Sequence, residues 1–311
     1  MSKLQIELDE YLAIRRALGF KLRLSGRLLQ RFVDFASREG AEYITTELAV
    51  TWAMQPATAQ PAQWANRLGM LRRFAQYCSA NDPRNAVPPA DLLPHRYHRP
   101  APYLYRDDEI KRLLAAARCL PSVTGLRPIT FFTLFGLYVA TGLRVNEALH
   151  LDRNDVDLVN GVLTIRGAKF GKMRYVPVHV STQRALQRYA VLRDSLCCDL
   201  ETPSFFVSER GTRLTEWCVR WTFVKLSHEI GLRADDDSRG PRLHDLRHRL
   251  ATRTLLNWYQ RGVDVERHLP LLSAYLGHTH ITDTYWYLTA TPELLRYALR
   301  YVERSRQGQR P

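Results

Sequence analysis

Apolar positions in the first eighty residues recur three and four apart, the spacing of helices that bury one face. Leu4, Leu12, Ile14 and Leu18 mark a first helix that stops near Gly19. Leu28, Leu29, Phe32, Val33 and Phe35 form a second stripe. Thr45 or Thr46 is placed to cap a third segment over 47–54, because a hydroxyl there accepts from an orphan N–H of the first turn. The fourth segment, about 61–79, carries Trp64, Leu68, Leu71, Phe74 and Tyr77, with Arg67, Arg72 and Arg73 among them. Residues 1–81 therefore read as a small all-helical domain. Residues 82–102 are crowded with proline, which blocks both helix and central strand, so they read as an extended linker.

The pattern changes at Tyr103. A helix with acids in its first turn is predicted over 106–118, followed by a buried apolar helix over 131–141. Residues 162–167 and 174–178 alternate in period two, with a glycine-bearing turn between them, and predict a β-hairpin with its tip near Phe170 and Gly171. Further helices are predicted over 182–194, 215–231, 244–262 and 269–277. A last one, over 292–304, has Pro292 at its first position and Leu294, Leu295, Ala298, Leu299 and Val302 as its apolar stripe. The fold class is mainly α with a small antiparallel β-sheet, and residues 103–311 form the larger domain.

Charge adds a partner to this picture. Forty-five Lys and Arg face 31 Asp and Glu, a formal net charge of +14, and that excess favours polyanions such as nucleic acid. The Arg residues are spread along the chain rather than gathered on one amphipathic helix, which argues against a membrane-surface role. No run of about 18 apolar residues and no signal-peptide core are present, so a cytoplasmic protein is expected. The five cysteines form no CxxC pair and no Cys/His cluster; they read as reduced thiols, and neither a metal nor a cofactor is implied.

Four stretches hold candidate chemistry. In ATGLRVNEAL the apolar helix breaks at Gly142, and Arg144 stands where a new helix opens, a place suited to a phosphate. Glu147, one turn on, reads as a brace for Arg144. In HDLRHRLAT, His244 and Arg247 share a helix face and can offer a proton donor and a cation to one oxyanion. In LGHTHITDTYWY, His278 follows a helix-ending glycine, and Tyr287 lies nine residues later. A phenol is a poor nucleophile at neutral pH unless cations stabilise its phenolate, and these arginines and histidines can do so. The hairpin adds Lys169 and Lys172, either of which can protonate a leaving oxygen.

Taken in order, these boxes resemble the tyrosine recombinase (phage integrase) family over about 103–305. The segment from Ala17 to Phe35 is similar to integrases carried by some transposable elements. The resemblance implies an N-terminal helical core-binding (SAM-like) domain and a C-terminal catalytic domain. It implies a catalytic set of Arg144, Lys169, His244, Arg247, His278 and Tyr287. Tyr287 is favoured over Tyr285 by its spacing from His278, and Lys169 over Lys172 by counting back from the strand at Tyr175. The implied reaction joins Tyr287 to a DNA 3′-phosphate without metal or ATP. It passes strands through a Holliday junction in a homo-oligomer, a tetramer at the synapse, with double-stranded DNA and other recombinases or accessory proteins as partners. A type IB topoisomerase-like relaxing enzyme and a catalytically silent DNA-binding subunit are the rival readings. A metal-dependent nuclease would need carboxylates clustered near the histidines, and the sequence shows no such cluster.

Overall fold

A computed structural model describes residues 2–94, 101–166, 173–197, 202–234, 236–237, 240–289, 294–297 and 299. The chain divides into two compact units, Met1–Pro100 and Ala101–Pro311.

The first unit holds α1 (Lys3–Ala17), α2 (Arg23–Arg38), α3 (Thr46–Met54) and α4 (Pro61–Asn81). Thr45 is the cap of α3, its hydroxyl accepting from Leu48 N–H at 3.1 Å. Leu8, Phe32, Trp52, Leu71 and Phe74 fill the core, with the Phe32 and Trp52 rings edge to face at 5.5 Å. The first half of the proline-rich stretch, read as an extended linker, is tied to the helices of this unit. The Asn85 amide accepts from Ile44 N–H at 3.0 Å and donates to the Asp82 carbonyl at 3.2 Å, while Ala86 N–H donates to the Ile44 carbonyl at 2.7 Å. Asn85 and Leu93 are buried. Proline excludes a regular ladder here, but side-chain hydrogen bonds replace it and hold residues 82–93 against the helices.

The second unit opens with α5 (Asp107–Arg118), the buried α6 (Leu126–Thr141) and the short α7 (Val145–Leu149). Three antiparallel strands follow in the order β1 (Val156–Asp157), β2 (Val162–Ile165), β3 (Arg174–Pro177), with Leu163 opposite Val176. Strand β1 is too short for its alternation to show in the sequence. The helices α8 (Val180–Leu196), α9 (Glu216–Glu229), α10 (Leu243–Gln260), α11 (Val265–Leu276) and α12 (Thr282–Tyr285) follow, and a 3-10 turn over Trp286–Thr289 carries Tyr287. Helix α11 starts four residues before the predicted one, because Asp264 caps it and Pro270 sits inside it rather than at its start. The expected hairpin tip, with Lys169, Lys172, Phe170 and Gly171, lies outside the described residues. So does most of the expected helix over 292–304, of which 294–297 and 299 are described and are helical.

Two apolar clusters flank α10. One gathers Leu134, Phe135, Leu163, Val176, Phe223 and Leu246; the other gathers Ala251, Leu255, Leu269, Leu272, Leu276 and Tyr287. Helix α10 is thus buried on both sides, and its polar residues His244, Arg247 and His248 are held in the seam between the clusters. Among the described residues, no helix is long and apolar enough to cross a membrane.

Candidate active site

Arg144 is set by a chain break. Helix α6 ends at Gly142, whose φ of +61° is the left-handed conformation that glycine adopts without a Cβ penalty. Two residues later Arg144 is the N-cap of α7. Its N–H donates to Glu147 Oε2 at 2.9 Å, so the helix start is closed by its own carboxylate rather than left open to an anion. The Arg144 guanidinium donates to Glu147 Oε1 at 2.7 Å and to the Gly277 carbonyl at 3.0 Å, and it stays partly exposed.

Arg247 is buried at 2% exposure. A bare guanidinium there would be prohibitively costly, and backbone carbonyls supply its partners. It donates to the carbonyl of Gly142, at the end of α6, at 2.8 Å, and to that of Leu276, at the end of α11, at 2.6 Å. Helix C-termini carry unpaired carbonyls and partial negative charge, so one cation satisfies two of them. Burial pushes the Arg247 guanidinium below its usual range, and the neighbouring Tyr287 phenol pulls the other way through charge and hydrogen bonding.

Tyr287 is itself 2% exposed, whereas Tyr285 is 49% exposed. The Tyr287 ring stacks on His278, with centroids 5.8 Å apart and planes 18° apart, and tilts against His248 at 5.3 Å. His248 in turn meets the edge of His244 at 4.8 Å. His278 is oriented by the Thr284 hydroxyl, 2.7 Å from Nδ1, which leaves Nε2 as its other working nitrogen. Burial first, and then the charge of Arg247, lower His244 to about 4 despite the opposing pull of Asp245. Burial, followed by Arg247 and Arg144, likewise lowers His278 to about 4. Both imidazoles are therefore neutral at pH 7 and resist protonation in the unliganded site.

Five of the six residues singled out in the sequence thus converge: Arg144, His244, Arg247, His278 and Tyr287. Lys169 lies outside the described residues. Two contributors were missed. Thr284 is one. The other is Arg174 on β3, whose guanidinium grips both oxygens of Glu147 at 2.9 and 2.7 Å and also donates to the Tyr275 carbonyl at 3.2 Å. Its signal was available: 174 and 176 share the inward face of the strand, and an arginine pointing inward needs a partner. Burial raises Glu147, but hydrogen bonds from Arg174, then its charge, then the Arg144 contacts outweigh it and hold the carboxyl at about 2.

A convergent phenol, two guanidiniums and two imidazoles define a site for acting on a phosphodiester. The sequence profile of the phage integrase family matches residues 104–293. The chain belongs to this family, that of the tyrosine recombinases. It is 49% identical over 308 residues to a Sinorhizobium fredii protein described as integrase/recombinase y4rB, covering 98% of each chain. It is 30% identical over 233 residues to the tyrosine recombinase XerC of Chlamydia caviae, covering 73% of this chain and 67% of that one. In fold it is similar to the Tn1549 transposon integrase solved with transposon right end DNA, with a TM-score of 0.70, 17% identity and coverage of 98% and 99%.

Proposed function

We propose that this chain is a site-specific DNA recombinase that breaks and rejoins strands through a covalent link to Tyr287. The observation that carries this reading is the Tyr287 phenol set against the buried Arg247 guanidinium, with Arg144, His244 and His278 around it. In this reading Arg144 and Arg247 hold the non-bridging oxygens of the scissile phosphate and stabilise the charge of the pentacoordinate transition state. His278 holds another phosphate oxygen through Nε2. The neutral His244 takes the phenol proton as the Tyr287 oxygen attacks phosphorus. The bond to the 5′-oxygen breaks, Lys169 gives that oxygen a proton, and a 3′-phosphotyrosyl link and a free 5′-hydroxyl result. Attack by the 5′-hydroxyl of a second strand reverses these steps and reseals DNA in a new partnership. The link conserves the phosphodiester bond energy, so neither ATP nor a metal ion enters the cycle.

The reading extends to assembly. The lambda integrase, to which this chain is similar in fold (TM-score 0.61, 20% identity, 90% and 78% coverage), is described as a tetramer bound to a Holliday junction. By analogy this chain works as a homotetramer on two double-stranded sites, in the cytoplasm, and its net charge of +14 supplies phosphate contacts whose strength falls with salt.

The test is adduct trapping. Nicked duplexes of randomised sequence are incubated with the protein in EDTA, adducts are recovered under denaturing conditions, and the selected DNA and the linked peptide are identified. The expected adduct is a 3′-phosphate on Tyr287. Tyr287→Phe is expected to abolish it while leaving DNA affinity within about twofold, since most affinity comes from phosphate contacts elsewhere. An adduct that persists in that variant refutes the assignment.

A further inference from the structure

Glu147 poses an electrostatic problem for the site. A carboxylate that binds Arg144 through both its side chain and its backbone N–H neutralises a cation that the reaction needs for phosphate. We infer that Arg174 is a positioning residue that compensates Glu147, so that Arg144 is held in place without its charge being cancelled. This inference rests on the reading of the site given above.

Three observations carry it. Arg174 takes both Glu147 oxygens in a bidentate grip, while Arg144 takes one of them. Two guanidiniums and one carboxylate leave a single net positive charge in the cluster; without Arg174 the remaining pair is neutral. The pairing is well shielded, with the Arg174 side chain 13% exposed and that of Glu147 9%, so water screens it little. Arg144 is the more exposed partner, at 41%, which leaves its outer face for a ligand. The third observation is steric. A Cβ at Gly277 would stand 2.5 Å from Arg174 Nη1 and 2.6 Å from its Cζ. The loop that begins with His278 therefore closes directly over this guanidinium, and the Gly277 carbonyl accepts from Arg144. Arg174 thus fixes, at one point, the brace of Arg144 and the departure of the segment that leads to Tyr287.

The experiment uses the full chain and the nicked duplex selected by adduct trapping, with either a phosphodiester or a methylphosphonate at the scissile position. A methylphosphonate lacks the non-bridging negative charge, so its cleavage depends less on the charge of Arg144. Arg174→Gln is expected to slow single-turnover phosphodiester cleavage about 10- to 100-fold, as loss of transition-state charge and of sub-ångström placement does. The same variant is expected to slow methylphosphonate cleavage by less than about threefold. Arg174→Lys, which keeps the charge, is expected to recover most of the phosphodiester rate. Arg174→Gln combined with Glu147→Gln removes the uncompensated anion and is expected to exceed Arg174→Gln alone by about tenfold.

Equal penalties on the two substrates, or a double variant no faster than Arg174→Gln, would overturn the inference, since a merely structural clip behaves that way. If Arg174→Gln does not fold, the double variant carries the test, and a phosphodiester loss of more than about 100-fold in it overturns the inference. Undiminished Arg174→Gln cleavage, with the adduct lost in Tyr287→Phe, overturns this inference alone. An adduct persisting in Tyr287→Phe overturns the reading beneath it.

Discussion

Replacing Gly277 with alanine adds one methyl group at a position with two separate reasons to lack it. The backbone there has φ of +70°, in the left-handed region, where a Cβ costs about 1–2 kcal/mol. The methyl would also enter the space of the Arg174 guanidinium, within 2.6 Å of Cζ and 2.9 Å of Nε. Such a side chain could normally swing aside. This one is held by Glu147 and by the Tyr275 carbonyl, and moving it breaks charge-assisted hydrogen bonds at a shielded site, for about 1.5–3 kcal/mol. Gly277→Ala should therefore cost about 2.5–5 kcal/mol, measured as the midpoint shift in urea unfolding multiplied by the m-value. In an Arg174→Ala background only the backbone share should survive, about 1–2 kcal/mol. The cycle thus predicts a coupling of about 2 kcal/mol between residues 103 positions apart in sequence (277 − 174). A coupling below about 0.5 kcal/mol would show that the glycine is needed for its φ angle alone and that the packing argument is wrong.

Two further outcomes follow from the geometry. Asn85→Ala strands the buried N–H of Ile44 and should destabilise the first unit by about 2 kcal/mol, read by urea unfolding, while Asn85→Asp should recover part of it by supplying an acceptor. The histidines give a pH dependence. Their folded values of about 4 lie below the usual 6.5, so on acidification the unfolded chain binds protons that the native site refuses. The stability they permit is present above pH 6.5 and is lost as pH falls toward 4. The urea midpoint should fall over that window, and less so in the His244→Asn/His278→Asn variant; equal slopes in the two proteins would contradict the burial that depresses these groups.

Much of this was readable from residue order alone, for reasons that differ by element. The long helices show because a one-sided apolar stripe repeats many times along each, as at Leu29, Phe32, Val33 and Ala36. The breaks at Gly142 and Gly277 show because left-handed helix ends select glycine. Both arginine boxes and Tyr287 were visible through their spacing. The brace by Glu147 was visible too, because a carboxylate three residues after a helix start reaches back to it. What stayed hidden was whatever depends on tertiary approach. Arg174 on β3 meets Glu147 on helix α7, Thr284 meets His278 across a turn, and Asn85 docks beside Ile44 from a proline-rich stretch that reads as an extended linker. None of these pairs leaves a periodic trace, because each joins two single residues brought together by a turn or by tertiary packing.

The seclusion of Tyr287 has a chemical corollary. A phenol sandwiched between imidazole rings and closed off from water is out of reach of small electrophiles, so acetylating or nitrating reagents should label the neighbouring Tyr285 and spare it. The same shelter bars a bulky polynucleotide. Attack on DNA by this hydroxyl therefore calls for a rise in the exposure of Tyr287 when the duplex binds, which would appear as new labelling of Tyr287 in the complex.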